Sequence, residues 1–516
     1  MYYFLPAWYR NNERSFYNVA PPWFREQQKI EFDDTINQIK MFSEATQPVE
    51  LLIIGYMPNL RSFLQRQELE QISYYSIFDE LQDVELKGSR RVELHDLNFP
   101  GDVDFSYSPF RVSVYRKQKH YAYIDFGDLG EILAVTLADK RYVFDDRGFL
   151  SSIMYFDEIG QPKRQEYLNL AGQIRFTEDL KTGQVTVAKE FEADFKKLRY
   201  ETLKELVTER LNDFLAKVSA DDIFILAAGG NRTKLALETI KQGKIVLSHF
   251  TGRDNEIGTL PQETLEKIYL AVADTEKTEQ ELKTTYPAEK IKLVTPFDTR
   301  LRLGHSQQLA EDIVLFLIDE LEISVLDQAV EQIVELIKNR KQLVLQIGVL
   351  RRGKYELEEL RAHLSQLIPE VNFVLSEEKV EESNENEELE AIETPKRTEV
   401  ELFYIDTEND LIKALDQARL LVDLDEVPDL YAQIVAISAG VPQIILEPDD
   451  LVEDKKNGVI LNGDVTKLTQ AIRFYTDELK HWNQAMMYAV AKINDLTSGS
   501  LARRWEKWLD VERKEV

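Results

Sequence analysis

The feature that most constrains the fold of this chain is an interruption between two similar sequence patterns. Before residue 94 and again after residue 198, short apolar runs such as Val49–Gly55 alternate with segments of helical periodicity. Strands that alternate with helices predict parallel sheets covered on both faces. Between these regions, glycines recur at spacings of 12, 12 and 11 residues, at Gly148, Gly160, Gly172 and Gly183. That spacing is typical of an antiparallel meander.

The interruption predicts a first domain that is split in the sequence. We expect residues 1–94 and 198–288 to form one Rossmann-like domain, into which residues 95–197 are inserted as an extended antiparallel β domain. A renewed alternation of strand and helix patterns predicts a second Rossmann-like domain at residues 289–475. The predicted fold class is therefore α/β, and the 516 residues suffice for more than one core.

Two further segments have a distinct composition. Residues 376–393 contain nine Glu and one Lys, with few apolar groups to offset the entropy of ordering. We predict a disordered acidic loop at residues 376–399 of the second domain. Residues 476–516 predict two terminal helices that carry Trp482 and Trp505, and we expect these helices to pack back on the first domain.

Charge and composition exclude several classes of function. The net charge is −29, which disfavours binding to nucleic acid. The chain has no cysteine, so thiolate metal sites and a cysteine nucleophile are excluded. The six histidines are far apart in sequence and match no metal-binding spacing. We therefore expect no cofactor, and we assign no catalytic, cofactor-binding or metal-binding residue.

The hydropathy of the chain predicts a cytoplasmic protein. No apolar run approaches the roughly 18–20 residues that a membrane span needs. The apolar segment Met1–Tyr9 lacks a basic leader and is broken by Pro6, so it predicts a buried strand rather than a signal peptide. Association with the inner face of the membrane would be peripheral at most.

Three motifs could bind a phosphate or a metal ion, and each has a structural alternative. Gly229–Thr233 follows a strand and opens a helix, where amide groups could hold a phosphate; a glycine turn capped by Asn231 or Thr233 explains it as well. The pairs Asp102/Asp104 and Asp423/Asp425 have a spacing by which some sugar transferases hold a metal–diphosphate. In so acidic a chain, such spacings also arise by chance.

Two groups of basic residues follow strands of the second domain. Arg300 and Arg302 precede Gly304, His305 and Ser306, while Arg351 and Arg352 follow Gly348. The carboxyl ends of strands in doubly wound sheets face the ligand crevice. These residues could hold an anion or moderate an acidic surface, and the sequence leaves both alternatives open.

The segment Pro428–Pro442 is the most informative. It predicts a helix that ends at Gly440, followed by a strand after Pro442. Here the chain resembles the retaining GT-B glycosyltransferases, whose nucleotide-sugar site contains a helix ending in Glu-Ala-x-Ala-x-Gly-x-Pro. The residues that fit this frame are Ala436, Ser438, Gly440 and Pro442, and the family's later loop resembles Asn457-Gly458 and Asn462-Gly463-Asp464.

The same resemblance indicates that the two donor-binding glutamates of the family are absent. In that family two glutamates, eight residues apart, contact the donor sugar and the ribose. Anchored on Gly440 and Pro442, their places fall at Val427 and Val435, with Glu426 one residue from the first. A valine has no lone pair for a hydroxyl and no charge for a cationic centre.

Over its whole length the chain resembles the first of the three accessory Sec system Asp proteins of Gram-positive cocci. The matching stretches are Met1–Tyr9, Ser76–Gln82, Thr295–Arg300, Leu303–Ser306 and the Ala-Gly-Val-Pro segment at 439–442. The resemblance implies a GT-B-like fold and a non-enzymatic role in the export of glycosylated serine-rich repeat adhesins. The partners it implies are the two sibling Asp proteins, the accessory SecA motor ATPase and the adhesin substrate.

Two other functions stay open. The chain could be a glycosyltransferase, or the regulatory subunit of a heteromeric one, since such subunits keep this fold with degraded sites. It could also bind carbohydrate through the aromatic β insertion, where Tyr121, Tyr123, Tyr142 and Tyr155 would stack on sugar rings.

Overall fold

The computed structural model describes residues 1–509 except 9–32, 86–87, 89, 91, 109–110, 128–129, 252, 254–261, 295–302, 341, 351–353, 377–397 and 496–497. Contacts divide the chain into two compact units. The first consists chiefly of Asp34–Asp274 and Thr278–Leu293, and the second chiefly of Val294–Val516.

The strands are numbered along the chain. Three precede the insertion: β1 (Tyr2–Leu5), β2 (Val49–Ile53) and β3 (Ser73–Ser76). Ten follow: β4 (Val103–Tyr107), β5 (Arg111–Arg116), β6 (Lys119–Phe126), β7 (Ile132–Thr136), β8 (Lys140–Asp145), β9 (Phe149–Phe156), β10 (Pro162–Leu168), β11 (Ile174–Asp179), β12 (Val185–Val187) and β13 (Arg199–Tyr200). The rest are β14 (Ile223–Ala227), β15 (Lys244–His249), β16 (Ile268–Ala273), β17 (Ile291–Leu293), β18 (Asp312–Ile318), β19 (Leu343–Leu350), β20 (Val371–Leu375), β21 (Thr398–Ile405), β22 (Ala418–Asp423), β23 (Gln443–Ile445) and β24 (Gly458–Ile460).

The helices are numbered in the same way. Those of the first half are α1 (Asp34–Glu44), α2 (Leu60–Arg66), α3 (Ile77–Leu81), α4 (Leu203–Leu215), α5 (Gly230–Thr239), α6 (Gln262–Glu266) and α7 (Glu276–Leu282). Those of the second half are α8 (Ile323–Lys338), α9 (Leu357–Leu367), α10 (Glu408–Gln417), α11 (Leu430–Ala439), α12 (Leu468–Thr476), α13 (Leu479–Asp495) and α14 (Ser498–Trp508). Local sequence accounts for several starts: Thr202 caps α4, and Thr407 caps α10 in a reciprocal pair with Asp410.

The first sheet is parallel and combines strands from both sides of the insertion. Its order is β17-β16-β15-β14-β1-β2-β3. The central strand β1 pairs on one side with β14, in register Tyr2↔Ile223, and on the other with β2. The Met1 amine lies 3.1 Å from an Asp222 carboxylate oxygen.

The position of β17 corrects the predicted boundary between the two Rossmann-like domains. The segment after residue 288 was expected to open the second domain, but β17 pairs with β16 in register Ala271↔Ile291 and forms an edge of the first sheet. A short apolar strand carries no mark of which of two parallel sheets it joins. The main continuous segment of the second unit accordingly begins at Val294.

The insertion is a ten-stranded antiparallel sheet in which every strand pairs with its neighbours along the chain, from β4 at one edge to β13 at the other. The four regularly spaced glycines all have positive φ, from 76° to 84°, as tight turns between strands require. At Gly148 a side chain is excluded as well, because a Cβ atom would lie 1.6 Å from the carbonyl oxygen of Arg90.

Buried charges attach this sheet to the helices of the first parallel sheet. Arg147, at the β8–β9 turn, places its guanidinium 2.7 Å from carboxylates of both Asp79 and Asp145. Arg61 of α2 contacts the same Asp145 oxygen at 2.6 Å. The Arg147 and Asp145 side chains are only 5% and 4% exposed, so each charge depends on its partners. Tyr167 and Phe176 of the insertion add apolar contacts in the core of the first unit.

The second parallel sheet has the order β20-β21-β19-β18-β22-β23-β24. Its central strand β18 pairs with β19 and β22 and is almost wholly apolar and buried. The predicted acidic loop ends earlier than expected, because Thr398 and Glu399 belong to β21 and pair with β20. Residues 377–397 of that loop lie outside the described residues.

The tail also differs from the prediction. Trp482 of α13 is fully buried in the core of the second unit, in the same cluster as Leu420 and Ile444. Its indole N–H donates to the Arg419 carbonyl at 2.8 Å. The sequence predicted packing on the first domain, whereas Trp482 enters the core of the second unit, because an amphipathic stripe does not specify which core it enters. Trp505 of α14 is also fully buried, and its docking on the first domain stays a prediction.

The charged attachment of the insertion predicts a pH effect at Asp146. Its side chain is 3% exposed and pairs with Arg61. Burial, reinforced by the Asp145 charge, raises the pKa of Asp146 to about 6, against the opposing effect of Arg61. A folded-state pKa above the unfolded value stabilises the fold at low pH, and this contribution disappears as the pH rises through 6.

We expect Asp146→Asn to remove this dependence. The free energy of unfolding of the variant minus that of the wild type should rise by about 2 kcal/mol between pH 4.5 and 7.5. Urea unfolding across that range measures it, and the exposed Asp104→Asn should follow the wild-type curve. A flat difference for Asp146→Asn would contradict the expectation.

Candidate functional site

The carboxyl edge of the second sheet is the candidate site, because the most informative sequence motif lies there. Helix α11 connects β22 to β23. It starts at Asp429, whose carboxylate accepts the Ala432 N–H at 2.8 Å, and it ends at Gly440, with φ of 72°. An added Cβ at Gly440 would lie 2.8 Å from a Leu303 methyl carbon. Backbone conformation and packing thus both require glycine here.

The loop before β18 packs on the end of α11 rather than opening toward a ligand. The Gly304 N–H donates to the Ala439 carbonyl at 2.9 Å. His305 places Nδ1 2.7 Å from an Asp416 carboxylate oxygen, and Ser306 is 2% exposed. These residues therefore fasten the loop. The predicted anion-binding residues Arg300, Arg302, Arg351 and Arg352 lie outside the described residues.

The Asp423/Asp425 pair points into the protein's own backbone. Asp423 accepts the N–H groups of Asp425 at 3.2 Å and Asp429 at 2.9 Å. Asp425 accepts the N–H of Asp319, at the end of β18, at 3.0 Å. Together the two carboxylates join the ends of β18 and β22 and the start of α11.

Burial changes the ionisation of both carboxyls. Desolvation, with the neighbouring acids adding to it, raises the pKa of Asp423 well above its usual range. Desolvation likewise raises the pKa of Asp425 to about 6. Within the described residues, no group of three or more acidic or histidine side chains is placed to hold a metal ion. The pair is thus used to shape the edge of the sheet.

The two valines of the motif occupy different environments. Val427 lies on the loop before α11 and is 63% exposed, whereas Val435 lies within α11 and is fully buried. Neither valine side chain carries a polar atom that could bind a ligand. The later loop is also held internally: Asn457 bonds to the Leu451 carbonyl and the Glu453 N–H, both at 2.8 Å.

At the carboxyl edge of the first sheet, the Gly229–Thr233 motif forms the start of helix α5. Gly229 precedes α5, and the predicted cap by Thr233 is wrong: its hydroxyl donates back to the carbonyls of Ala227 and Gly229, at 2.8 and 2.7 Å. The side chain of Asn231 lies outside the described residues. Hydrogen bonds to β14 explain why a hydroxyl residue is placed here.

A buried polar network at the same edge was not predicted from the sequence. Asp34, at the start of α1, forms an ion pair with Arg253 and accepts the Ser248 hydroxyl. Gln38 donates to the same hydroxyl at 2.9 Å. The Asp34 side chain is 4% exposed, so its charge is neutralised inside the protein. No local pattern links Asp34 to partners more than 200 residues away.

The remaining acidic pair lies in the antiparallel sheet and faces solvent. Asp102 is exposed and bonds to Arg116 at 2.8 Å, while Asp104 is exposed on β4. The two carboxylates therefore lack the enclosed setting in which a metal–diphosphate would be held.

The four tyrosines considered for sugar stacking are half-buried in the same sheet. Cations lie over three of their rings: Arg111 is 4.4 Å from the centroid of Tyr123, Arg164 is 4.3 Å from that of Tyr155, and Lys140 is 5.2 Å from that of Tyr142. The fourth, Tyr121, contacts Phe99 at 6.3 Å between centroids. Neighbouring side chains thus lie against all four rings, so these tyrosines form no open aromatic surface on which a sugar ring could stack.

Among the described residues, we find no helix that combines the length and the apolarity needed to cross a bilayer.

Comparisons with known proteins agree along the whole chain. A sequence profile of the family of the first accessory Sec system Asp protein matches residues 1–512. The first accessory Sec system Asp protein of Streptococcus gordonii is 35% identical, over 99% of both chains. A chain in the crystal structure of accessory secretory proteins 1, 2 and 3 in Streptococcus pneumoniae superimposes with a TM-score of 0.86 and 33% identity, over 99% of both chains.

A more distant likeness concerns the fold alone. The pneumococcal O-GlcNAc transferase GtfA, solved with UDP and GlcNAc, aligns with a TM-score of 0.65 and 12% identity, over 99% of this chain and 98% of that one. With the two parallel sheets and the antiparallel sheet, this confirms the predicted fold class: GT-B-like α/β, with two Rossmann-like domains and an inserted antiparallel β domain.

The geometry at the end of α11 predicts that replacing Gly440 destabilises the protein. We expect Gly440→Ala to lower the free energy of unfolding by about 1–3 kcal/mol, because it combines a left-handed backbone with a close contact. Gly499, in α14, has its nearest atom 4.0 Å from an added Cβ, so Gly499→Ala should be neutral or stabilise by about 0.5–1 kcal/mol. Denaturant unfolding of both variants checks the contrast, and equal effects would contradict it.

Proposed function

Because the chain belongs to the family of the first accessory Sec system Asp protein, we propose that it is a non-catalytic scaffold of the accessory Sec system. The family membership confirms the resemblance noted in the sequence. In this proposal the chain assembles with its two sibling Asp proteins in the cytoplasm. The related structure from Streptococcus pneumoniae, which is of accessory secretory proteins 1, 2 and 3, supports that part of the proposal.

The observation that carries the non-catalytic part is the environment of Val435. We infer that Val427 and Val435 occupy the places of the two donor-binding glutamates of retaining GT-B enzymes. Val435 is fully buried in α11, so no polar group at that position meets a ribose. Asp423 and Asp425 are engaged within the chain instead, since Asp423 accepts two backbone N–H groups and Asp425 accepts the Asp319 N–H. A transferase needs charge and hydrogen bonds that strengthen in the transition state.

The wider partners are part of the same proposal. We propose that the scaffold presents glycosylated serine-rich repeat adhesins to the accessory SecA motor ATPase, and that any contact with the membrane is peripheral. The net charge of −29 supports partners recognised through protein surfaces rather than nucleic acid. A scaffold needs stable surfaces to which its partners can bind, and the three large sheets provide such surfaces.

A second candidate is the regulatory subunit of a heteromeric glycosyltransferase. The likeness of the fold to GtfA, with a TM-score of 0.65, favours it. Such a subunit would also lack a working donor site. The two proposals differ in the partner: a scaffold assembles with the sibling Asp proteins, whereas a regulatory subunit assembles with a catalytic transferase.

We expect no sugar transfer by the purified chain. Incubation with labelled nucleotide sugars and an adhesin peptide should give no product above a blank, because the site lacks the donor-binding groups. An active GT-B transferase on the same peptide is the positive control. Transfer that disappears in a Gly440→Ala or Asp423→Ala variant would contradict the proposal.

We expect the chain to form a stable complex with the two sibling proteins. Co-expression, purification and mass measurement should give one species that contains all three chains at micromolar concentration. The candidate catalytic transferase, mixed in the same way, serves as the competing partner. A chain that stays alone with the siblings but binds the transferase would replace the scaffold proposal with the regulatory one.

A further inference from the structure

Strand β4 is an edge strand of the antiparallel sheet. It pairs with β5 on one side, and no described strand pairs with its other side. Four of its five residues are exposed. The opposite edge is different, since β13 has two residues, of which Tyr200 is buried, and helix α4 follows almost directly. Edges are usually blunted by such short strands or by covering elements.

The direction of the free backbone groups of β4 can be read from the hairpin. The Ser108 N–H donates to the Arg111 carbonyl at 3.0 Å. Hydrogen-bonded and non-hydrogen-bonded pairs alternate in an antiparallel ladder, and Tyr107 lies opposite Val112. The backbone groups of Val103, Phe105 and Tyr107 therefore point away from β5, toward the open side.

The side chains of these residues are apolar and share one face. Phe105 is 37% and Tyr107 68% exposed, although both are large. The Phe105 ring contacts Phe99 at 5.7 Å and Tyr107 at 6.4 Å between centroids, so a short aromatic row runs along the edge. An exposed apolar edge strand with free backbone groups is a template for another strand.

The charged side chains next to this edge indicate which kind of partner would bind it. The β5–β6 turn, beside the start of β4, carries the exposed cations Lys117 and Lys119, while the neighbouring Arg116 is paired with Asp102. Two lysines therefore stand at this end of the edge, on a chain of net charge −29. A second copy of the chain would bring the same large negative charge with it, which opposes self-pairing through the edge.

We propose that β4 is the docking edge for an extended segment of a sibling protein, which adds to the ten-stranded sheet as a further strand. This inference rests on the proposed function. The segment has apolar residues at alternate positions, which lie on Phe105 and Tyr107, and acidic residues at the end that meets Lys117 and Lys119. Main-chain hydrogen bonds to residues 103, 105 and 107 supply the affinity, and the side chains supply the specificity.

A proline tests the backbone part of the interface. Phe105→Pro removes an N–H that points to the open side and leaves the bonds to β5, as edge strands tolerate. Phe105→Ala removes the same side chain but keeps the N–H. Against the sibling proteins of the same organism, Phe105→Pro should weaken binding by at least about tenfold and Phe105→Ala by a few-fold. Ile159→Ala, at an 81% exposed turn residue, should bind like the wild type.

Further measurements decide the remaining outcomes. Amide exchange at Val103, Phe105 and Tyr107 should slow in the wild-type complex. If Phe105→Pro does not fold, Tyr107→Lys, at a 68% exposed side chain, replaces it and should give the same loss. A folded proline variant that binds like the wild type overturns the docking edge while the scaffold proposal stands. A wild-type chain that binds neither sibling overturns both, and self-association that the proline variant abolishes assigns the edge to a second copy instead.

Discussion

The position of the antiparallel sheet depends on charges buried where it joins the helices of the first parallel sheet. Arg147 and Arg61 together face Asp79 and Asp145 across the β8–β9 turn. Breaking one partner of such a group leaves an uncompensated charge in a dry site, which is far costlier than losing a surface pair. Strands β7, β6, β5 and β4 follow β8 in order across the sheet, so their positions depend on this attachment. The charges at this turn thus act together with the apolar contacts of Tyr167 and Phe176 to hold the sheet against the first unit.

Periodicity in the sequence predicted the classes of the elements but not their partners. The glycines at 148, 160, 172 and 183 all have the positive φ that turns require, because that demand is local. Whether β17 joins the first or the second sheet, and which core Trp482 enters, depends on surfaces formed far away in the chain. For the candidate site, Gly440 could be predicted because a helix end and a strand start leave a local pattern. The bonds of Asp423 to backbone amides and the pairing of Asp34 with Arg253 leave none.

The carboxyl edge of the second sheet uses polar groups for architecture. In open α/β sheets this edge is where ligands bind, since loops meet there and helices begin. Here Asp423 and Asp425 bond to the loops themselves, and the Gly304 loop closes on the end of α11. Raised pKa values, which elsewhere indicate a site poised for catalysis, have a structural origin in this protein: acids buried together so that they can accept backbone N–H groups.

The pairing of β1 with β14 has a consequence for how the protein is made. Tyr2 lies beside Ile223 in the same sheet, so one side of β1 stays open until the entire insertion has left the ribosome. At about 5–20 residues per second, that interval is roughly 10–45 s. Phe4 and Leu5, which end fully buried, are available to chaperones throughout it. The inserted sheet, whose pairings are all between neighbours along the chain, can fold during the same time, so the nascent protein matures from its middle outward.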